Sequence, residues 1–154
     1  AVAMVLVAII LIGLAGVMGS GFRSLRNNRL EEQATQVGMQ GLEFARSLTY
    51  SQVAVNPGVS ESDPRIAPST RQIRGSYFGL SGNEKLVEYG VDNPDAMIPY
   101  TSTETLDGVT FTSLAYVTQV DAGLRRVIIS VTWDPGNGTR EILMSTNVSE
   151  VSSP

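Results

Sequence analysis

Ala1-Val-Ala-Met-Val-Leu-Val-Ala-Ile-Ile-Leu-Ile-Gly-Leu-Ala-Gly-Val-Met-Gly-Ser-Gly21 is the stretch that decides the fold. It carries no charge and is almost wholly apolar, and Arg23, Arg26 and Arg29 follow it at once. At about 1.5 Å per helical residue it would span roughly 30 Å, the thickness of a bilayer's hydrocarbon core. Everything after it reads as an ordinary water-soluble domain. A secretory signal peptide would have a basic start and a shorter apolar run of roughly 7–15 residues. This run has neither, so the expectation is a retained stalk, residues 1–22, that anchors a polar head, packs into an assembly, or does both in turn.

Working outward, the residues after Phe22 keep a helical period. Leu30, Ala34, Val37, Gly41, Ala45 and Leu48 form one stripe, and Arg29, Glu32, Gln36, Gln40 and Glu43 lie opposite. This predicts an amphipathic helix over residues 23–55, ending near Ser51–Val55 ahead of Asn56-Pro57-Gly58. Glycines concentrated between Gly13 and Gly21 mark where a break in the rod would fall, at roughly 1 kcal/mol each relative to alanine.

Residues 56–154 are predicted to form a β-rich head. Pro57, Pro64, Pro68, Pro94 and Pro99 interrupt its first half, where short strands are expected at Ser76–Leu80 and Leu86–Val91. The last third is clearer. Val109–Val120 reads as a strand, Asp121-Ala122-Gly123 as a turn and Arg125–Trp133 as a second strand. In that strand Val127, Ile129, Val131 and Trp133 alternate with Arg126, Ile128, Ser130 and Thr132. Asp134–Gly138 turns the chain into a third strand, Thr139–Thr146. Short connections make an antiparallel meander, and the amphipathic helix is the long element able to cover one face. The predicted class is α+β: a long N-terminal helix, apolar stalk plus amphipathic half, packed on a C-terminal antiparallel meander. Specifically, Val127, Ile129, Val131 and Trp133 should bury against Val37, Gly41, Ala45 and Leu48.

Composition removes several kinds of chemistry. The chain has 154 residues, a net charge of −4, no cysteine and no histidine. Thiol chemistry, disulfides, the common zinc sites and histidine-based triads are excluded. No basic surface suggests nucleic acid. The paired acids Glu84/Glu88 and Asp92/Asp95 read as solvated runs and a turn. No catalytic, cofactor-binding or metal-ligating residue is assigned, and no enzyme activity is expected. The sequons Asn137-Gly138-Thr139 and Asn147-Val148-Ser149 make Asn137 and Asn147 candidates for glycosylation, although Asn137-Gly138 is equally well explained as hairpin chemistry.

The stalk Ala1–Ala15, the following helix from Gln33-Ala34 through Gly41-Leu42-Glu43-Phe44-Ala45-Arg46-Ser47-Leu48, and the stretches Asp107–Phe111, Val127–Trp133 and Arg140–Thr146 together resemble the type IV pilin family. That family includes the pseudopilins of type II secretion, and the local likeness is to minor-pilin V-like bacterial members. Members usually begin with a methylated phenylalanine and carry a glutamate a few residues later. Neither is present, and the best register puts Ala1 directly after that glutamate. The expectation is that mature residues including an acid precede Ala1. The alternative is a mature pilin that starts at Ala1. The positive-inside rule would place the side bearing Arg23, Arg26 and Arg29 in the cytoplasm, and a removed basic leader would resolve this.

The resemblance implies a structural subunit of an extracellular pilus-like filament. It would be held in the cytoplasmic membrane before assembly, extracted by assembly machinery and polymerised with copies of itself. Its assembly core would comprise Val2, Val5, Ala8, Ile9, Ile12, Gly13, Ala15, Gly16 and Val17. Arg23, Arg26, Arg29, Glu31 and Glu32 are candidates for charge pairs between subunits, with a solvated collar as the alternative. A major subunit, a minor pilin and a secretion pseudopilin all remain open. A reading of another class is a monomeric membrane-anchored binding module that uses residues 56–105 for a ligand.

Overall fold

In a computed structural model the backbone is described over residues 2–150 and side chains over residues 21–150. Helix α1 comprises Val2–Ser47. Seven strands follow: β1 (Ile66–Ala67), β2 (Gln72–Ile73), β3 (Glu84–Leu86), β4 (Thr101–Leu106), β5 (Val109–Asp121), β6 (Leu124–Trp133) and β7 (Arg140–Ser149). By internal contacts the chain divides into residues 1–33 and residues 34–154. The first unit is helical, and its Phe22 and Leu25 are exposed. The second is the head, an α+β unit.

Within the head, α1 ends at Ser47, earlier than the predicted Ser51–Val55. The Ser47 hydroxyl donates to the Phe44 carbonyl at 2.7 Å, taking up a carbonyl that the last turn leaves without a helical partner. Thr49 is extended, and Tyr50–Gln52 form a separate 3-10 turn. Residues 53–55 then run fully buried as an extended segment. Val55 N–H donates to Val87 O at 3.0 Å and Ile98 N–H to Ala54 O at 3.0 Å. Backbone pairing on two sides, rather than helical bonding, satisfies this apolar stretch.

The sheet is antiparallel throughout, in the order β1-β2-β3-β5-β6-β7, with β4 also paired to β5. Strands β5, β6 and β7 are the predicted meander, each one or a few residues longer than the sequence suggested. The predicted strand Ser76–Leu80 is instead a 3-10 turn at Gly75–Phe78, and the predicted Leu86–Val91 gives way to β3, which ends at Leu86. Pairing explains the second difference, because Lys85 and Leu86 reach Gln119 and Thr118 of β5 while residues 87–89 bond the buried 53–55 segment. A Cβ on Gly75 would overlap the Gly82 carbonyl, so the first segment is a tight turn held by backbone approach.

One face of the sheet meets residues 34–47. Val127, Ile129, Val131 and Trp133 are buried, as are Ala34, Val37, Leu42 and Ala45. Gly38 and Gly41 set the spacing. A Cβ on Gly41 would overlap Ile129 Cδ1, and one on Gly38 would overlap Met144 Cε. These two helical glycines, each unfavourable for the isolated helix, let backbone and sheet approach closely. The other face is covered as well. Tyr116, Thr118, Ile128 and Ser130 are buried under residues 63–100, so β6 is buried on both sides.

Candidate interaction surfaces

The predicted assembly-core side chains, Val2 through Val17, lie outside the described residues. Arg23, Arg26, Arg29, Glu31 and Glu32 are all exposed on α1, and Arg29 and Glu31 already engage in interactions. Asn137 is exposed in the turn after β6, where Asp134 Oδ1 accepts from Gly136 N–H at 2.7 Å. Asn147 is exposed on β7. Among the described residues, the predicted charged cluster stands on α1 in the first unit, and Asn137 and Asn147 stand on a turn and a strand of the head.

Three features of the head do bring residues together. The first is a polar clamp on the sheet face away from α1. Asp63-Pro64-Arg65 forms a turn in which Arg65 N–H donates to Asp63 Oδ1 at 2.9 Å. Asp63 Oδ2 accepts from the hydroxyls of Tyr116 at 2.5 Å and Tyr100 at 2.7 Å. Arg65 donates through Nη1 to Ser130 Oγ at 3.0 Å, and its Nη2 pairs with Glu141 Oε1 at 2.8 Å. Phe78 packs edge-on against Tyr116, with ring centroids 4.9 Å apart.

Electrostatics in the clamp follow from this geometry. Burial alone would raise the Asp63 pKa. The two phenol hydroxyls, the Arg65 N–H and the Arg65 charge outweigh burial and hold the carboxyl below its ordinary value. Burial and the neighbouring carboxylate push Tyr100 up to about 12 and push Tyr116 up further. Both phenols are therefore locked as hydrogen-bond donors. The arrangement pins residues 63–100 to the sheet.

The second feature is a groove of about 210 Å³ between α1 and the β4/β5 hairpin. Val37, Phe44, Ile98 and Ile129 give it an apolar floor, and Gln40 and Glu104 contribute polar groups. The third is a more polar hollow of about 480 Å³, lined by Arg71, Glu88, Tyr89, Asn93, Gln119 and Arg125. Its arginines already have work. Arg71 pairs with Glu88 and donates to Val59 O at 3.0 Å. Arg125 donates to Tyr50 O at 2.8 Å, Val53 O at 2.9 Å and Asn93 Oδ1 at 2.8 Å, and stacks over the Tyr50 ring. Asn93 is such a partner, and Glu88, read in sequence as part of a solvated run, is the acid of an ion pair.

Sequence reasoning missed the clamp and the Arg125 anchor. The Asp-Pro-Arg turn was the local signal for Asp63, but nothing local points from it to Tyr116 or Ser130. Among the described residues no helix is long and apolar enough to cross a membrane, and no group of three or more acids, histidines or cysteines stands together as a metal site. No family model, curated protein or solved structure matches the chain.

Proposed function

We propose that the chain is a structural subunit of an extracellular type IV pilus-like filament, with a minor pilin or a type II secretion pseudopilin as its nearest variants. The observation that carries this reading is the uncharged run Ala1–Gly21 leading in sequence into a helix whose residues 34–47 pack on an antiparallel sheet. A subunit of this kind sits in the cytoplasmic membrane by its stalk before assembly machinery withdraws it to the cell surface. Exchanging lipid for a bundle of other stalks trades one apolar environment for another, so the hydrophobic term nearly cancels and extraction is feasible. Association then depends on close packing, for which Ala8, Gly13, Ala15 and Gly16 are suited.

The groove and the polar hollow support a second reading, a membrane-anchored monomer that binds a ligand with its head. Negative-stain microscopy of native material separates the two. Filaments whose mass per length fits this chain are the expected result. Folded, membrane-associated protein without filaments would overturn the first reading in favour of the second.

A further inference from the structure

Strand β7 is an outer strand of the sheet, ten residues long, paired with β6 on one side over ten consecutive partners without a bulge. Among the described residues no strand pairs with its other edge. Edge strands are commonly blunted by lysine, proline, a bulge, brevity or a covering element. Between Ile142 and Ser149 there is no charged residue and no proline, and Leu143, Ser145, Asn147 and Ser149 are exposed. The ladder extends one residue further, since Glu150 N–H donates to Gly123 O at 2.8 Å.

We propose that this edge pairs with the β7 edge of a second copy of the chain, antiparallel about a two-fold axis through Ser145. Two edges related in this way keep the same sheet face on the same side, so opposed residues must share a face and the axis must pass through a residue. Placing it at Ser145 uses the whole exposed edge. Arg140 of each copy then stands opposite Glu150 of the other, Ile142 opposite Val148 and Met144 opposite Thr146, all on the face that carries α1. Leu143 opposes Asn147 on the other face. No like charges meet, and an ion pair closes each end, so the strand is complementary to itself in charge. The pairing would supply about ten main-chain hydrogen bonds. It goes beyond the filament reading and does not rest on it: an axis normal to the sheet runs residues 34–47 of the two copies in opposite directions, so the pairing joins the heads of unassembled chains or of separate filaments.

The chain has no cysteine, so a single introduced thiol reports proximity without background. Directly opposed antiparallel residues have Cα atoms roughly 4.5–5.5 Å apart, within disulfide reach. The experiment uses the full chain in excess detergent micelles, with mild oxidation and circular dichroism to verify folding. Ser145→Cys should form the disulfide-linked dimer at least about tenfold faster than Ser81→Cys, an exposed position remote from β7. In the Ser145→Cys background, Arg140→Glu or Glu150→Arg alone should slow linkage about tenfold, and the two together should restore it. Association through stalks would be the same in all of these variants. Linkage at Ser145 no faster than at Ser81, indifference to the single charge reversals, or failure of the double reversal to rescue would each overturn the proposal. Filaments that form normally while Ser145→Cys stays unlinked would sink the edge pairing and leave the filament reading intact.

Discussion

The two faces of one sheet are closed by different means. On the α1 face, closure is apolar: Ile129, Val131 and Trp133 meet a helix brought close by Gly38 and Gly41. On the other face, apolar contacts of Ile128 and Phe78 are joined by a polar clamp: Asp63 and Arg65 reach from a turn into Tyr116, Tyr100 and Ser130. Apolar closure is non-directional and tolerates small shifts, at a cost set by the volume removed. Polar closure depends on every buried group finding its partner, so losing one member strands the others. The helix side should therefore answer to volume and the clamp side to charge and pH.

The largest effect is expected on the apolar face. Ile129→Ala removes a buried side chain beneath Gly41 and should destabilise the folded head by about 2–5 kcal/mol in a denaturant titration. A change within error would mean that the helix can settle into the space and that this face is loosely packed.

Next comes the clamp. Asp63→Ala leaves the fully buried Tyr116 hydroxyl without its acceptor, and should cost about 1–3 kcal/mol. The pH profile separates the two faces. Because the folded Asp63 pKa is depressed, its contribution is present above the ordinary value of 3.8 and is lost as pH falls through the folded pKa. Ile129→Ala should keep that acid limb and Asp63→Ala should flatten it. Equal acid limbs in the two variants would show that Asp63 does not couple folding to protons.

An alkaline limb should mirror it. Tyr100 and Tyr116 have raised pKa values in the folded state, so their contribution is complete below the ordinary value of 10.0 and is lost as pH rises above it. Tyr116→Phe should reduce the loss of stability between about pH 10 and 12, followed by thermal melting at constant ionic strength. An unchanged slope would place the alkaline sensitivity elsewhere in the head.

The contrast also explains what the sequence reveals. Val127, Ile129, Val131 and Trp133 advertise a buried face by alternation, and Ala34, Val37 and Ala45 advertise the complementary helix by their spacing. Both signals are local, so the α+β class and the three-strand meander follow from them. Asp63 and Tyr116 are 53 positions apart, and Arg65 and Ser130 are 65 apart. Their pairing leaves no periodic trace, and polar residues at Asp63 and Ser130 read as surface. Strand β4, Thr101–Leu106, was missed for a related reason: Thr-Ser-Thr-Glu-Thr-Leu is largely exposed and shows no alternation. The early end of α1 turned on one Ser47 hydroxyl and on backbone pairing to residues far along the chain. Of the interaction surfaces, the groove and the β7 edge arise from topology and could not be placed before the strand order was known.

The smallest expected effect tests whether a polar contact matters by its chemistry or by its place. Arg46 Nε donates to Thr146 Oγ1 at 2.9 Å, a charge-assisted bond on the apolar side of the sheet, at the rim where α1 ends. It resembles the Arg65–Ser130 bond in chemistry but differs in setting, since Arg46 is exposed and water can replace the lost partner. Arg46→Met keeps an unbranched aliphatic side chain and removes the donor. It should cost less than about 1 kcal/mol and leave the pH profile unchanged. Arg65→Met, by contrast, removes the charged donor that Ser130 and Glu141 share, leaving only the bond from Ser130 Oγ to Glu141 between them, and loosens Asp63, so its cost should exceed that of Arg46→Met and the acid limb should shrink with it. If the two variants proved equal in cost, burial would not be what distinguishes them, and the division of the sheet into an apolar face and a clamped face would lose its energetic meaning.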